Sequence, residues 1–293
     1  MTIIAILLAF GLCHFVRELG RFRKRQWLTT WVDFSNDAFG KLPFWQDTLG
    51  FLVITATPLL VLLLINEVLI SALGSTGSFL LALVVLVYSF GPRDLDTDVA
   101  AIVEAEDDEQ RNEAMERVLR KPVPEDADET RAATVEAVFH EALRRWFGVI
   151  FWFAVLGIVG AFLYRMVDWL VRENHNLTDD QIGLYTRLLQ IMDWPAAQLM
   201  TLSLAIATDF DSVFTAWKRY HDEQGHGLFE GDNGFLLASA RSIVLTGHAA
   251  RDGYADQIQG PMVCLQQAMD LTWRILGVWL TVLALLLLIG VIV

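Results

Sequence analysis

Charged residues are scarce in this sequence and unevenly spread. Asp, Glu, Lys and Arg make up 19% of the 293 residues, whereas 54% are hydrophobic. A soluble domain usually has about a quarter charged residues. Here the charges crowd into a few stretches and leave long uncharged runs, which indicate helices that cross a bilayer. The shortage of charge excludes an ordinary soluble fold and predicts an integral membrane protein.

Cysteine and recognisable catalytic motifs are also lacking. The two cysteines, Cys13 and Cys264, lie far apart and form no CxxC pair, which argues against a disulfide framework and a thiolate zinc site. The six histidines are scattered, and we predict no metal site. The motifs of P-loop nucleotidases, serine hydrolases, zinc proteases and dinucleotide-binding enzymes do not occur in a suitable context.

Basic residues are outnumbered, and the net charge is −13. Much of the acid lies in residues 92–145, with sixteen Asp or Glu against eight Lys or Arg. Nucleic acid is excluded as a partner because phosphate binding needs basic patches. The stretch is either a solvated helical loop or a surface for a cytoplasmic protein partner.

Hydrophobic segments define the fold class. Four segments are predicted to span the bilayer: 50–73, 79–90, 146–167 and 273–293. Segments 2–16 and 195–207 are shorter, so they are either spans or re-entrant helices. We therefore predict an all-α fold, a polytopic helical membrane protein with four to six membrane segments, helical polar loops and the lipid bilayer as its environment.

Loop charge gives a topology and a division of the chain. If six segments cross, the loops on one side hold eighteen Lys or Arg and those on the other hold two. The positive-inside rule then places residues 92–145 in the cytoplasm and both termini outside. If four cross, the C-terminus is cytoplasmic. We divide the chain into N-terminal membrane segments, 1–91, an acidic loop, 92–145, and C-terminal membrane segments, 146–293, with a polar loop at 209–272.

Local composition predicts the structure of the polar regions. Residues 99–118 and 130–143 are rich in good helix formers, and Pro122 and Pro124 separate them. Residues 209–260 contain four glycines between 225 and 234, so we expect a loop there.

Two clusters of polar residues flank predicted spans. Arg93 and Asp94 follow the span 79–90, and Asp94 and Asp98 lie one turn apart if the chain is helical. Glu136 and His140 share a helical face at i, i+4, just ahead of Arg144, Arg145 and the next span. Both clusters are read either as helix ends on a solvated face or as a ligand site.

Two more clusters lie close to lipid. Arg165 and Asp168 stand near the far end of the span 146–167, where ionisable groups snorkel, pair or serve a site. Asp193-Trp194-Pro195 opens the segment 195–207, and a helix beginning there would present free N–H groups to an anion. Asp as cap and Pro in the first turn explain the same residues structurally.

These motifs carry a family resemblance over essentially the whole chain. Val87-Tyr-Ser-Phe-Gly-Pro-Arg-Asp-Leu95, Val135-Glu-Ala-Val-Phe-His-Glu141 and Asp193-Trp-Pro195 resemble AmpE, a family of bacterial inner-membrane proteins. AmpE proteins are known as regulatory signalling modulators of β-lactamase induction. The resemblance implies a multi-pass inner-membrane protein that responds to cell-wall status and is not an enzyme.

AmpE in turn resembles the adenosylcobinamide-phosphate synthases of the CobD/CbiB family. The shared positions are Gly91, Arg93, Leu95, Val135, Glu136, Val138, Tyr164, Arg165 (a lysine in the synthases), Asp193 and Pro195. The synthases' Gly-Asp-Pro and His-Pro-Val motifs are missing, and His140-Glu141 replaces their Glu-Asn pair.

Three functions follow as expectations. The leading one is the AmpE-like modulator, in which Arg93, Glu136, Arg165 and Asp193 converge as a residual ligand pocket. The alternative is an enzyme of the synthase class that joins an amine to a carboxylate, with the arginines holding an anion and Glu136 or Asp193 serving as base or metal ligand. A small-molecule transporter is a third, based on polar residues within spans.

Overall fold

The described part of the chain is helical and contains no strand. The computed structural model describes residues 2–15, 26–42, 45, 48–90, 95–173, 176–224, 232–251 and 261–289. The chain divides into two compact units. Unit 1 comprises residues 1–92, 148–192 and 290–293, and unit 2 comprises 93–147 and 193–289.

Unit 1 is built around a short helix that packs against three others. Its helices are α1 (Thr2–Phe15), α2 (Gln26–Phe39), α3 (Thr48–Leu73), α4 (Ser75–Ser89), α8 (Gly148–Arg172) and the first part of α9 (Asp179–Ala207). Helix α4 packs against α1, α3 and α8. The predicted segments 50–73 and 79–90 correspond to α3 and α4, which pack against each other as a helical hairpin.

Unit 2 holds the polar helices together with the C-terminal apolar helix. It contains α5 (Leu95–Val103), α6 (Asp108–Leu119), α7 (Ala127–Ala142), a π-helical turn (Leu143–Phe147), α9 from Asp193, α10 (Phe210–Gln224), α11 (Gly234–Arg251) and α12 (Pro261–Leu288). Helix α7 packs against both α11 and α12, and α10 packs against α11.

Three helical stretches of the described residues are long and apolar enough to cross a membrane. They are 48–73, 127–172 and 262–288. Helix α3 leaves Leu60, Leu64 and Val68 more than half exposed, which suits lipid and not water. Helix α4, predicted as a span, has 15 residues, or about 22 Å at 1.5 Å per residue, less than the ~30 Å hydrocarbon core.

Two glycines of unit 1, at the end of α3 and in the middle of α8, have positive φ angles. Gly74 alone joins α3 to α4, and its φ of +64° is one that residues with a Cβ disfavour. The observed connection is therefore one residue, whereas the predicted segments left five residues, 74–78, between them. Gly157 also has a positive φ, +62°, and breaks the middle of α8. The sequence predicted an uninterrupted span there.

The prediction that a helix begins at Asp193 is wrong. Asp193, Trp194 and Pro195 lie inside the 29-residue helix α9, so no free N–H groups are presented to an anion. Pro195 is tolerated in the helix interior although it removes one backbone hydrogen bond. The carbonyl that Pro195 leaves without its helical donor is that of Ile191, and the indole Nε1 of Trp152 donates to the neighbouring carbonyl of Met192 at 2.9 Å.

The loop expected across residues 209–260 is largely helical. Helices α10 and α11 occupy 210–224 and 234–251. Gly225, Gly227 and Gly231 lie outside the described residues, and Gly234 begins α11. The four glycines therefore did not indicate a loop over the whole stretch.

The acidic stretch is more divided than predicted. Residues 99–118 belong to two helices, because α5 ends at Val103 and α6 begins after Asp107. The Asp107 carboxylate caps α6 by accepting from the Gln110 N–H at 2.7 Å, a strong start signal. The predicted separation at Pro122 and Pro124 is confirmed, since both lie between α6 and α7.

Candidate functional site

Arg165 and Asp168 form a buried ion pair in unit 1. Arg165 Nη1 lies 2.9 Å from Asp168 Oδ2, and both side chains are 2% exposed. Arg172 Nε contacts the other carboxylate oxygen at 2.7 Å. A buried carboxylate needs such partners because desolvation of an isolated charge is costly. The sequence left three alternatives for this cluster, which were snorkelling, pairing and service in a site, and pairing is the one observed.

Arg165 also holds the end of a neighbouring helix. Its Nε donates to the backbone carbonyl of Ser89, the last residue of α4. The last carbonyls of a helix lack intrahelical donors, and a cation there also complements the helix dipole. Arg165 therefore fixes the chain just before Arg93 and Asp94, two candidates that lie outside the described residues.

Unit 2 contains a charged core that joins three of its helical segments. We use this name for Asp98, Arg120, Glu141 and Arg145. Arg145 contacts Glu141 at 2.8 Å and Asp98 at 2.6 Å. Arg120, at the end of α6, contacts Glu141 at 3.1 Å. Arg145, predicted to lie with Arg144 at the membrane surface, is instead buried.

A second group, the polar strip, follows the contact between α7 and α11. Glu136 Oε1 lies 3.3 Å from Arg241 Nη1. Asp193, which is 1% exposed, lies 3.7 Å from Arg144 Nε and accepts from Asn233 Nδ2 at 3.3 Å. These five residues define the strip.

Glu136 and Asp193, two carboxylates that were predicted to converge, lie apart in the polar strip. Asn233 and Arg241 are eight residues apart on or beside α11, about 12 Å along a helix axis. Glu136 and Asp193 therefore bind different turns and do not meet at one point. His140 lies on α7 midway in sequence between Glu136 and Arg144.

A polar groove opens beside the strip, between α10 and α11. Its volume is about 530 Å³, and its charged lining residues are Asp211, Arg219, Glu223 and Arg241. Arg241 thus belongs both to the groove and to the polar strip. Two cations and two carboxylates around one cavity suit a ligand that carries an anionic group and an amine.

A tyrosine adds a fixed donor to the groove. The Tyr220 hydroxyl, on the groove wall, donates to Asp232 at 2.6 Å. Burial, and then this hydrogen bond, raise the pKa of Tyr220 above its usual value. Tyr220 consequently stays protonated at neutral pH and acts here as a hydrogen-bond donor.

Metal binding has no support among the residues that the structure describes. No group of three or more His, Cys, Asp or Glu side chains is placed to hold an ion there. Asp193 has an arginine and an amide as neighbours, an arrangement that suits a neutralised carboxylate better than a metal ligand.

Sequence reasoning missed the groove and most partners of the strip. The Glu141–Arg145 contact was visible as an i, i+4 pair, but Asp98 and Arg120 meet it only through tertiary packing. Arg219, Arg241 and Asn233 lie in the stretch that was expected to be a loop. The alternation of apolar and charged residues over 210–224 was the signal that could have found this helix.

Comparison with known proteins identifies the family. The model of the CobD/CbiB protein family matches residues 6–258. The chain belongs to the CobD/CbiB family. The match covers most of the chain, including both walls of the groove, and supports the synthase-like part of the predicted resemblance. No curated protein and no solved structure matches the chain.

Proposed function

We propose that this membrane protein carries out amide-forming chemistry of the synthase class, joining an amine to a carboxylate. The observation that carries the proposal is the CobD/CbiB family match across residues 6–258. The polar groove supports it, because the groove offers groups for both reacting partners on adjacent helices.

The lining residues suggest how the substrates are held. Arg219 and Arg241 bind a phosphate or carboxylate, since a guanidinium donates two parallel hydrogen bonds to such groups. Glu223 or Asp211 binds the ammonium group and takes its proton, which frees the amine lone pair. The amine then attacks a carboxylate that a nucleoside triphosphate has converted to an acyl phosphate. The amide C–N bond forms as the bond between the carbonyl carbon and the phosphate oxygen breaks, and the two arginines hold the phosphate that leaves. The Tyr220 hydroxyl is a donor beside this site.

Complementation tests this proposal. Wild type, Arg219→Ala and Arg111→Ala are expressed at matched membrane levels in a strain that lacks the cobinamide-phosphate synthase. Arg111 pairs with Asp108 on the exposed face of α6, far from the groove in sequence. We expect wild type and Arg111→Ala to restore cobalamin-dependent growth and Arg219→Ala to fail. No growth with wild type contradicts the cobinamide form of the proposal.

A second candidate is the inner-membrane modulator of β-lactamase induction. It is favoured by the loss of the Gly-Asp-Pro and His-Pro-Val motifs and by the arginine partners of Glu136, Asp168 and Asp193. Carboxylates neutralised in this way maintain a framework and need not take part in a reaction. In this candidate the exposed acidic face of α6 meets a cytoplasmic protein.

Induction of β-lactamase distinguishes the two candidates. The gene is deleted and complemented with wild type or with Asp193→Asn at matched levels. If deletion changes induction and only wild type restores it, the modulator is supported. Unchanged induction after deletion contradicts it.

A further inference from the structure

Helix α10 has two faces of opposite character. Phe210, Phe214 and Trp217 follow one another at helical spacing, and their rings stack with centroid distances of 6.0 and 5.8 Å. Arg219 and Glu223 lie on the other side, where they line the groove. A helix divided in this way suits the boundary between lipid and water.

The aromatic face of α10 is exposed and continues an exposed apolar series from α9. Leu199, Leu202 and Ile206 recur every three or four residues on α9, followed by Phe210 and Phe214 on α10, and all five are between 42% and 64% exposed. Exposed apolar surface in a membrane protein is covered by lipid tails. The exposed apolar residues continue in sequence past the end of α9 into α10.

Asp209 marks the level of the membrane surface in this series. It lies between Ile206 and Phe210 and caps α10 by accepting from the Ser212 N–H at 3.1 Å. The hydrogen bonds from Ser212 lower the pKa of Asp209, and an aspartate is ionised at neutral pH even without this shift. An ionised group belongs in water or among headgroups and not in the hydrocarbon core.

We propose that α10 lies in the plane of the membrane interface, with Phe210 and Phe214 inserted among the lipid headgroups and the groove turned to water. The occupant of this exposed face is the bilayer that surrounds the protein. Residues 210–224 carry three acidic and two basic side chains, so insertion rests on the aromatic rings. It does not require anionic lipid.

Site-specific labelling tests the orientation. The full-length protein, with Cys13 and Cys264 replaced by alanine, carries Phe214→Cys or the matched control Thr215→Cys. Thr215 is the next residue, is also exposed and lines the groove. Each variant is labelled with an environment-sensitive fluorophore and reconstituted into phosphatidylcholine vesicles that contain lipids with a nitroxide at a shallow or a deep position.

We expect the label at 214 to show blue-shifted emission and strong quenching by the shallow nitroxide, with little loss to aqueous iodide. The label at 215 should show emission typical of water, little quenching by the nitroxide and strong quenching by aqueous iodide. Iodide quenching of both labels overturns the proposal. So does stronger quenching at 214 by the deep nitroxide, which means a spanning helix. Shielding at 214 that grows with the protein-to-lipid ratio indicates a second copy on this face and also overturns it. Phe210→Cys replaces Phe214→Cys if the latter does not fold.

Discussion

A tryptophan satisfies the backbone carbonyl that a proline leaves without a donor in a helix of unit 1. Pro58 lies within α3 and has no N–H to donate to the carbonyl of Ile54. The indole Nε1 of Trp31 donates to that same carbonyl at 3.2 Å. The sequence alone could not name Trp31 as this donor, because the contact depends on how α2 packs against α3.

Replacing Trp31 tests this role at the scale of one hydrogen bond. We expect Trp31→Phe to lower the free energy of unfolding by about 1 kcal/mol, because the Ile54 carbonyl is left without its donor. In a Pro58→Ala background the alanine N–H can bond to Ile54, so the same substitution has a much smaller effect. Unfolding of the four proteins in one detergent gives the coupling energy.

Trp27→Phe is the matched control. Trp27 lies on the same helix and donates to the Tyr88 hydroxyl, which does not depend on Pro58. Trp27→Phe should therefore lower the free energy of unfolding by the same amount with Pro58 and with Pro58→Ala. If Trp31→Phe also lowers the free energy of unfolding equally in the two backgrounds, the packing of the Trp31 ring stabilises the protein and its hydrogen bond does not.

Elements were predictable where the signal was long and uniform. The uncharged runs predicted α3 and α12 because a continuous apolar stretch admits few alternatives to a membrane helix. Asp193-Trp194-Pro195 led to the wrong prediction of a helix start. The same three residues fit both the first turn of a helix and a helix interior that tolerates a proline. Tertiary contacts such as the one between Trp152 and Met192 decide between them.

The break in α8 provides a prediction at the scale of the element. An alanine at Gly157 would meet no atom within 4 Å, so space is not limiting. The combination of φ +62° and ψ −145° is nevertheless essentially restricted to glycine and costs a residue with a Cβ about 1–3 kcal/mol. We expect Gly157→Ala to lower the free energy of unfolding by about that amount.

Gly183→Ala separates backbone strain from the addition of a methyl group. Gly183 lies in α9, and a Cβ there also meets no atom within 4 Å, but its φ is not positive. Alanine should therefore stabilise this helix by roughly 0.5–1 kcal/mol. If both substitutions stabilise the protein in thermal unfolding, the break at Gly157 is not required.

At the scale of the whole molecule, the sequence identified polar residues but not their partners. Glu136, Arg165, Asp168 and Asp193 were all selected because they flank or enter apolar segments. The Arg165–Asp168 and Asp168–Arg172 pairs are local, three and four positions apart in sequence. Asp193 meets Asn233 across 40 residues, and no periodicity in one sequence specifies such a pair. Burial of Asp193 and Asp168 was foreseeable, whereas the choice of counter-ion was not.

Topology is the remaining whole-molecule prediction, and it follows from loop charge and the length of α8. The 25 residues of α8 separate the acidic loop from the segment around residue 179, so we predict that these lie on opposite sides of the membrane. In a background without Cys13 and Cys264, we introduce Asp108→Cys or Asp179→Cys, both at exposed positions. An impermeant maleimide should label position 179 in intact spheroplasts and position 108 only after lysis, because the rule places the Arg-rich loops in the cytoplasm. Labelling of 108 before lysis would invert the topology, and labelling of both would mean that α8 does not cross the bilayer.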